Sequence, residues 1–114
     1  MDFSIKSKLN EENNYWEISV EGEIDIFNSS DFKTELLNLL SQKELDLKID
    51  CTKLKYIDST GLGALIPVLK KAKSFDKEVC LFNLKPNLIK LFKITNLDKV
   101  FKIEGDYDAR DEKW

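Results

Sequence analysis

The chain has 114 residues, 42% of them hydrophobic, which suits one globular domain and is too short for two of ordinary size. Charged residues make up 34% of the chain, but 18 basic and 21 acidic side chains leave a net charge of only −3. This balance argues against the basic stripe of a nucleic-acid-binding surface and against a polybasic membrane-binding cluster.

The start of the chain predicts two strands. Apolar and polar residues alternate from Phe3 and again from Trp16, and the polar turn at 10–14 joins the two runs in a hairpin-like link. The start has no apolar signal-peptide core, and no later apolar run approaches the roughly 18–20 residues of a membrane span. We therefore expect no secretory signal, no membrane association and a cytoplasmic location.

A helix and a third strand come next. Asn28, Ser29 and Ser30 are residue types that cap helix N-termini, and apolar residues at helical spacing carry this helix to about Ser41. Alternation of apolar and polar residues over 45–51 predicts the third strand. A turn through 53–58 is expected to follow it.

Apolar residues from Leu62 to Ala72 predict a second helix that contains Pro67. Proline removes a backbone donor and crowds the carbonyl four residues earlier, which costs about 3 kcal/mol in a regular helix. We therefore expect a kink or an irregular first turn. A fourth strand at about 79–84 and a third helix that begins near Pro86 follow. Four later residues are expected to complete the core: Leu97, Val100, Phe101 and Ile103.

This order of elements predicts an α/β domain with one mixed sheet of four to five strands covered by helices. We expect the domain to occupy residues 1–105 and the polar segment 106–114 to form a mobile tail. Cys51 and Cys80 share no CxxC spacing, and the chain has no histidine. Plain buried thiols are therefore favoured over a zinc site, with a disulfide between adjacent strands as the minor alternative.

Catalysis finds little support in the sequence. Without histidine, neither a Ser-His-Asp triad nor a Cys-His pair can form. The chain has no GxxxxGK[ST] phosphate loop, and Ser59 does not lie in a G-x-S-x-G elbow. Carboxylate pairs such as Asp58 with Asp50, or Glu23 with Asp25, are better explained as solvated surface. We expect no enzyme activity, no metal and no cofactor.

The segment Asp-Ser-Thr-Gly-Leu-Gly at 58–63 has a structural and a functional interpretation. In the first, Asp58, Ser59 or Thr60 caps the second helix by accepting from backbone N–H groups. In the second, a hydroxyl exposed at the helix N-terminus is accessible to a kinase, and free N–H groups together with the helix dipole favour the added phosphate. The residues alone favour the cap.

Three segments resemble the anti-sigma factor antagonists, the single-domain proteins of the STAS superfamily. They are Gly-Glu-Ile-Asp at 22–25, Tyr-Ile-Asp-Ser-Thr-Gly-Leu-Gly at 56–63, and Leu-Phe-Lys-Ile-Thr-Asn-Leu at 91–97. Their order and spacing match that family over nearly the whole chain, which implies the STAS fold. Asn96 occupies a position where many relatives have glycine, and asparagine also tolerates left-handed backbone.

The resemblance further implies a partner-switching cycle in which an anti-sigma factor with serine kinase activity phosphorylates Ser59. The unphosphorylated chain would bind that factor and free its sigma factor for transcription, and a PP2C-type phosphatase would restore the active form. The alternative is a STAS scaffold or transporter-associated regulatory module that is not phosphorylated. Six residues are expected to form the partner-binding surface: Asp25, Asp58, Thr60, Gly61, Leu62 and Gly63.

Overall fold

Residues 3–105 of the chain are described by a computed structural model. Its strands are β1 (Phe3–Asn10), β2 (Tyr15–Ile24), β3 (Asp46–Ile57), β4 (Val79–Phe82) and β5 (Lys102–Glu104). Its helices are α1 (Ser29–Gln42), α2 (Ser59–Ser74) and α3 (Pro86–Ile94), followed by a 3-10 turn at Leu97–Lys99. The predicted α/β order is confirmed, whereas the predicted mobile tail at 106–114 lies outside the described residues.

The five strands form one sheet in which each strand lies beside its neighbour in sequence, in the order β1-β2-β3-β4-β5. β1 pairs with β2 in antiparallel fashion, and the later pairs are parallel. Because connections between parallel strands are right-handed, a steady progression across the sheet places α1, α2 and α3 on the same face. The core lies between that face and the helices. Alternate strand residues such as Ile18, Ile49 and Leu81 are buried there.

Strand β3 is longer than the sequence predicts. The expected turn at 53–58 is wrong, because the strand continues to Ile57. Two register shifts against β2 each place one extra residue in β3, so its buried positions change from a spacing of two to a spacing of three at Leu54 and Ile57. Such bulges bend a strand and redirect its side chains. The bulges keep apolar residues of β3 facing the core, and they interrupt the alternation of apolar and polar residues by which a strand is recognised in the sequence.

Helix α2 runs without a break across Pro67, which lies on its exposed side. The first turn is regular, since the N–H of Leu62 donates to the carbonyl of Asp58 at 2.9 Å. The irregular first turn that we considered is therefore not observed. Gly63, whose carbonyl loses its usual donor to the proline, is exposed and can be hydrated instead.

Several smaller expectations agree with the structure. Cys51 and Cys80 are buried free thiols. Asn96 has a φ of 61°, in the left-handed region that asparagine tolerates. Pro86 occupies the first turn of α3, as expected from its fixed φ. Within residues 3–105, no helix combines the length and the apolar character needed to cross a membrane.

Candidate functional site

The candidate site lies at the edge of the sheet where the parallel strands end. Ile24 and Ile57, the last residues of β2 and β3, are paired, and the N–H of Asp58 donates to the carbonyl of Ile24 at 3.2 Å. Asp25 and Asp58 therefore follow neighbouring strands at one edge. The predicted site residues from the first two motifs come together here.

The third motif, at 91–97, does not belong to this edge. Its residues form the end of α3 and the turn after it, and a helix that returns from the ends of parallel strands finishes at the opposite edge of the sheet. Phe92 is buried and packs edge-to-face against Phe101, with ring centroids 5.9 Å apart. This motif stabilises the core at the far end of the domain.

Asp58 caps helix α2. Its backbone is extended, and its Oδ1 atom accepts from the N–H of Gly61 at 3.0 Å and from the hydroxyl of Thr60 at 2.6 Å. Of the three capping candidates, the structure selects this aspartate, a residue type that is favoured at the N-cap. The Thr60 hydroxyl is consequently engaged in an internal hydrogen bond.

Ser59 is the first residue of α2, and its side chain is exposed. Among residues 3–105 its hydroxyl has no hydrogen-bond partner, in contrast to that of Thr60. The backbone N–H groups of the first helical turn have no partner within the helix, and they give this end a partial positive charge. The hydroxyl is therefore accessible, and the N-terminus of α2, taken by itself, favours an attached anion.

The hydrogen bonds at the cap change the acidity of Asp58. Donation by the Thr60 hydroxyl, followed by the Gly61 N–H, lowers the pKa of the Asp58 carboxyl below its ordinary value of 3.8. A lowered folded-state pKa means that the carboxylate supports the fold above the unfolded value and that this support is lost as the pH falls through the folded value. The cap is thus intact at neutral pH.

Replacing Thr60 with valine is expected to raise the pKa of Asp58 toward 3.8, because the largest contribution to the lowering is removed. An NMR titration that follows the Asp58 carboxyl carbon measures the midpoint directly. Ser59→Ala is the matched control and should leave the midpoint unchanged, since the Ser59 hydroxyl is not among the groups that lower the pKa of Asp58. Equal midpoints in wild type and T60V would contradict the assigned hydrogen bond.

The loop between β2 and α1 is held by its own side chains. Oδ1 of Asp25 accepts from the N–H of Phe27 at 2.9 Å and from the N–H of Asn28 at 3.3 Å. The side chain of Asn28 is 7% exposed; it donates to the carbonyl of Glu23 at 2.8 Å and accepts from the N–H of Asp25 at 2.9 Å. Asp25 thus shapes the loop in addition to any contact with a partner.

Asn28 is a site-shaping residue that sequence reasoning missed. Its position directly before α1 suggested a helix cap, but its side chain makes no capping hydrogen bond and turns back into the loop instead. A buried amide that satisfies two backbone groups is costly to remove. The available signal was an asparagine three residues after the Gly-Glu-Ile-Asp segment. Asparagine is equally suited to capping a helix and to bonding the backbone of a loop.

The four remaining predicted residues divide by burial. Thr60 and Gly63 are exposed, whereas Gly61 is buried and Leu62 is only 5% exposed. A Cβ atom on Gly61 would lie 2.5 Å from Cγ1 of Ile57. Gly61 and Leu62 can therefore serve a partner only by fixing the first turn of α2 against the sheet.

The charges within the two segments that form this edge are all negative, and Lys55 directly precedes the second segment. Residues 23–31 carry three carboxylates and residues 56–64 carry one, and neither segment contains a lysine or arginine. The carboxylates are those of Glu23, Asp25, Asp31 and Asp58. Such an edge repels anions in its surroundings and attracts basic groups. A phosphate added here would increase the negative charge further.

The described residues contain no cluster of metal-binding side chains, and the Cys51 thiol is unreactive. No group of three or more Cys, Asp or Glu side chains within residues 3–105 could hold a metal ion. Burial raises the pKa of the Cys51 thiol to about 12, so this thiol is protonated and a poor nucleophile at neutral pH.

Together, the fold and the site define a one-sheet α/β domain that presents an exposed serine at the start of a helix. The chain belongs to the STAS domain family, whose family model matches residues 7–109. A protein of Listeria monocytogenes named anti-sigma-B factor antagonist is 36% identical over 106 residues, which cover 92% of this chain and 91% of that relative. The predicted resemblance is confirmed.

Solved structures show the same fold. A candidate anti-sigma factor antagonist of Thermotoga maritima superimposes with a TM-score of 0.80 at 22% identity, covering 95% of this chain and 92% of the other. The anti-sigma factor antagonist SpoIIAA is also similar, at 14% identity and a TM-score of 0.71 in its unphosphorylated form, covering 95% and 94% of the two chains. The phosphorylated form of Bacillus SpoIIAA has a TM-score of 0.68 at 16% identity, covering 95% and 97%.

Proposed function

We propose that this chain is an anti-sigma factor antagonist that phosphorylation of Ser59 switches off. In the unphosphorylated form it binds an anti-sigma factor through the edge that carries Asp25, Asp58 and Ser59, and the sigma factor is released for transcription. The anti-sigma factor is also the serine kinase, and a PP2C-type phosphatase reverses the modification. This role places the chain in the cytoplasm, where sigma factors act.

The observation that carries the proposal is that Asp58 and Thr60 form the helix cap, whereas the neighbouring Ser59 hydroxyl takes no part in it. Asp58 performs the capping, and the Thr60 hydroxyl is bound to it at 2.6 Å. The Ser59 hydroxyl is exposed and has no partner among the described residues. The helix start therefore does not need this hydroxyl for its own stability, which supports a role for Ser59 as the phosphate acceptor.

A phosphate on Ser59 would be compatible with the fold and unfavourable for the complex. It adds about −1.5 to −2 charge, which free N–H groups and the helix dipole stabilise at an N-terminus. The edge already carries four carboxylates within residues 23–31 and 56–64. When a partner covers the edge, the added charge must be buried without compensation or the complex must dissociate.

The proposal is tested by mixing the purified chain with each GHKL-type anti-sigma factor kinase of the source organism. We expect one of them to form a complex that is visible by size-exclusion chromatography. On addition of ATP, the chain should gain a single phosphate, tandem mass spectrometry should place it on Ser59, and the complex should dissociate. Absence of any complex, or a phosphate at another residue, would contradict the proposed function.

A further inference from the structure

Exposed apolar side chains occur in both segments that form the edge carrying Ser59. Only five large hydrophobic side chains within residues 3–105 are notably exposed, and three of them lie at this edge. Phe27 is 87% exposed and Ile26 is 67% exposed, both in the loop between β2 and α1, and Tyr56 near the end of β3 is 47% exposed. We call these three residues the apolar patch. Clustered exposed apolar groups on a small domain usually mark a binding surface.

The loop that presents Ile26 and Phe27 has a defined conformation. The N–H of Phe27 donates to Asp25 at 2.9 Å, and the buried Asn28 amide ties the loop to the carbonyl of Glu23 at 2.8 Å. Two apolar side chains are thus held in water by a hydrogen-bonded frame. Because the loop is already ordered, little conformational entropy is lost when it binds.

The charges around the apolar patch indicate what covers it. Carboxylates outnumber cations around the patch: Glu23, Asp25 and Asp58 lie close to it in the chain, and the nearest cation in sequence is Lys55, which directly precedes Tyr56. An anionic membrane would be repelled, and a two-fold contact with a second copy would place carboxylates against carboxylates. A protein surface with an apolar pocket and a basic rim is complementary in both respects.

We infer that Ile26 and Phe27 insert into an apolar pocket on the anti-sigma factor, and that arginine or lysine side chains around that pocket face Asp25 and Asp58. This inference rests on the proposed function and names the residues that anchor the complex. Phe27 supplies most of the contact area, since a large aromatic side chain that becomes fully buried is typical of an interface hot spot. Asp25 acts twice, because it shapes the loop and faces the basic rim.

Phe27→Ala is the test, with Ile94→Ala as the matched control. Ile94 is 69% exposed at the end of α3, on the opposite edge of the domain. The F27A variant keeps the backbone N–H that bonds to Asp25, so its thermal unfolding midpoint should equal that of wild type. Isothermal titration with the anti-sigma factor kinase that binds wild type should show at least about tenfold weaker affinity for F27A. I94A should bind like wild type.

Each outcome bears on one of the two proposals. If wild type binds none of the anti-sigma factors of the source organism, the proposed function fails and the anchor with it. If wild type binds and F27A binds equally well, only the anchor is wrong. Wild-type dimerisation in sedimentation, or flotation with phosphatidylglycerol vesicles, that is lost in F27A would assign the patch to a second copy or to a membrane and would overturn the inference.

Discussion

Replacing Ser59 with alanine is expected to abolish phosphate incorporation by the anti-sigma factor kinase, whereas binding of the variant to that kinase should persist. The hydroxyl is the acceptor, and it makes no hydrogen bond within residues 3–105, so its removal leaves the cap at Asp58 intact. The free energy of unfolding should change by less than about 0.5 kcal/mol, as for other exposed positions. Transfer of radiolabelled phosphate from ATP measures incorporation, titration calorimetry measures binding to the anti-sigma factor, and urea unfolding measures stability.

Ser59→Asp tests the electrostatic part of the switch. A carboxylate adds one negative charge where phosphate adds about −1.5 to −2, so we expect S59D to bind at least about tenfold more weakly than wild type, a smaller effect than that of phosphate.

Thr60→Ala is the control for the site of phosphorylation, because the Thr60 hydroxyl is already bound to Asp58 at 2.6 Å and should not accept phosphate. Phosphate incorporation that persists in S59A and disappears in T60A would move the switch to Thr60.

The strand and helix order could be predicted from the sequence because most elements keep a regular period. The exception is β3, where two one-residue bulges change the spacing of buried positions after Cys51. The alternation of apolar and polar residues is interrupted at each bulge. The sequence of the rest of the strand therefore resembles that of a turn. β5 has three residues, too few for any period to be recognised.

The residues of the candidate site could be located from the sequence, but their individual roles could not. Asp58, Ser59 and Thr60 are all acceptable caps, and only the geometry assigns capping to Asp58 and leaves the Ser59 hydroxyl without a partner within residues 3–105. Leu62 was expected both in the apolar stripe of α2 and at the partner surface. At 5% exposure it belongs to the stripe.

Phe27 illustrates a different limit. An aromatic residue in the short loop before a helix is equally compatible with a buried and with an exposed position, because side-chain direction in an irregular loop follows no period. Its 87% exposure is set by the hydrogen bonds of Asp25 and Asn28, which turn the loop outward. Those bonds depend on tertiary placement beside β2, which local sequence does not reveal.

Gly61→Ala should destabilise the domain, whereas Gly63→Ala should not, although the two glycines are one residue apart on either side of Leu62. A Cβ on Gly61 would lie 2.5 Å from Cγ1 of Ile57 and 2.9 Å from Cγ2 of Ile24. Both isoleucines are buried and β-branched, so neither can move aside easily. Overpacking of this kind costs about 1–3 kcal/mol in the free energy of unfolding.

Gly63 provides the matched control because no atom of the described part of the chain lies within 4 Å of its added Cβ. Alanine there removes backbone freedom from the unfolded chain within a helix, which should stabilise the domain by up to about 1 kcal/mol. Urea unfolding of the two variants should therefore shift in opposite directions. Equal shifts would show that the first turn of α2 does not press against the sheet as described.

The same pair of variants connects packing to the switch. Gly61 allows the first turn of α2 to lie directly on Ile24 and Ile57, and that contact fixes where Asp58 and Ser59 sit. In G61A the turn must move outward by the size of a methyl group, so the folded fraction should be phosphorylated more slowly than wild type. G63A, whose added methyl group has no described atom within 4 Å, should be phosphorylated faster than G61A. A wild-type phosphorylation rate in folded G61A would show that the position of Ser59 does not depend on the packing of Gly61 against the sheet.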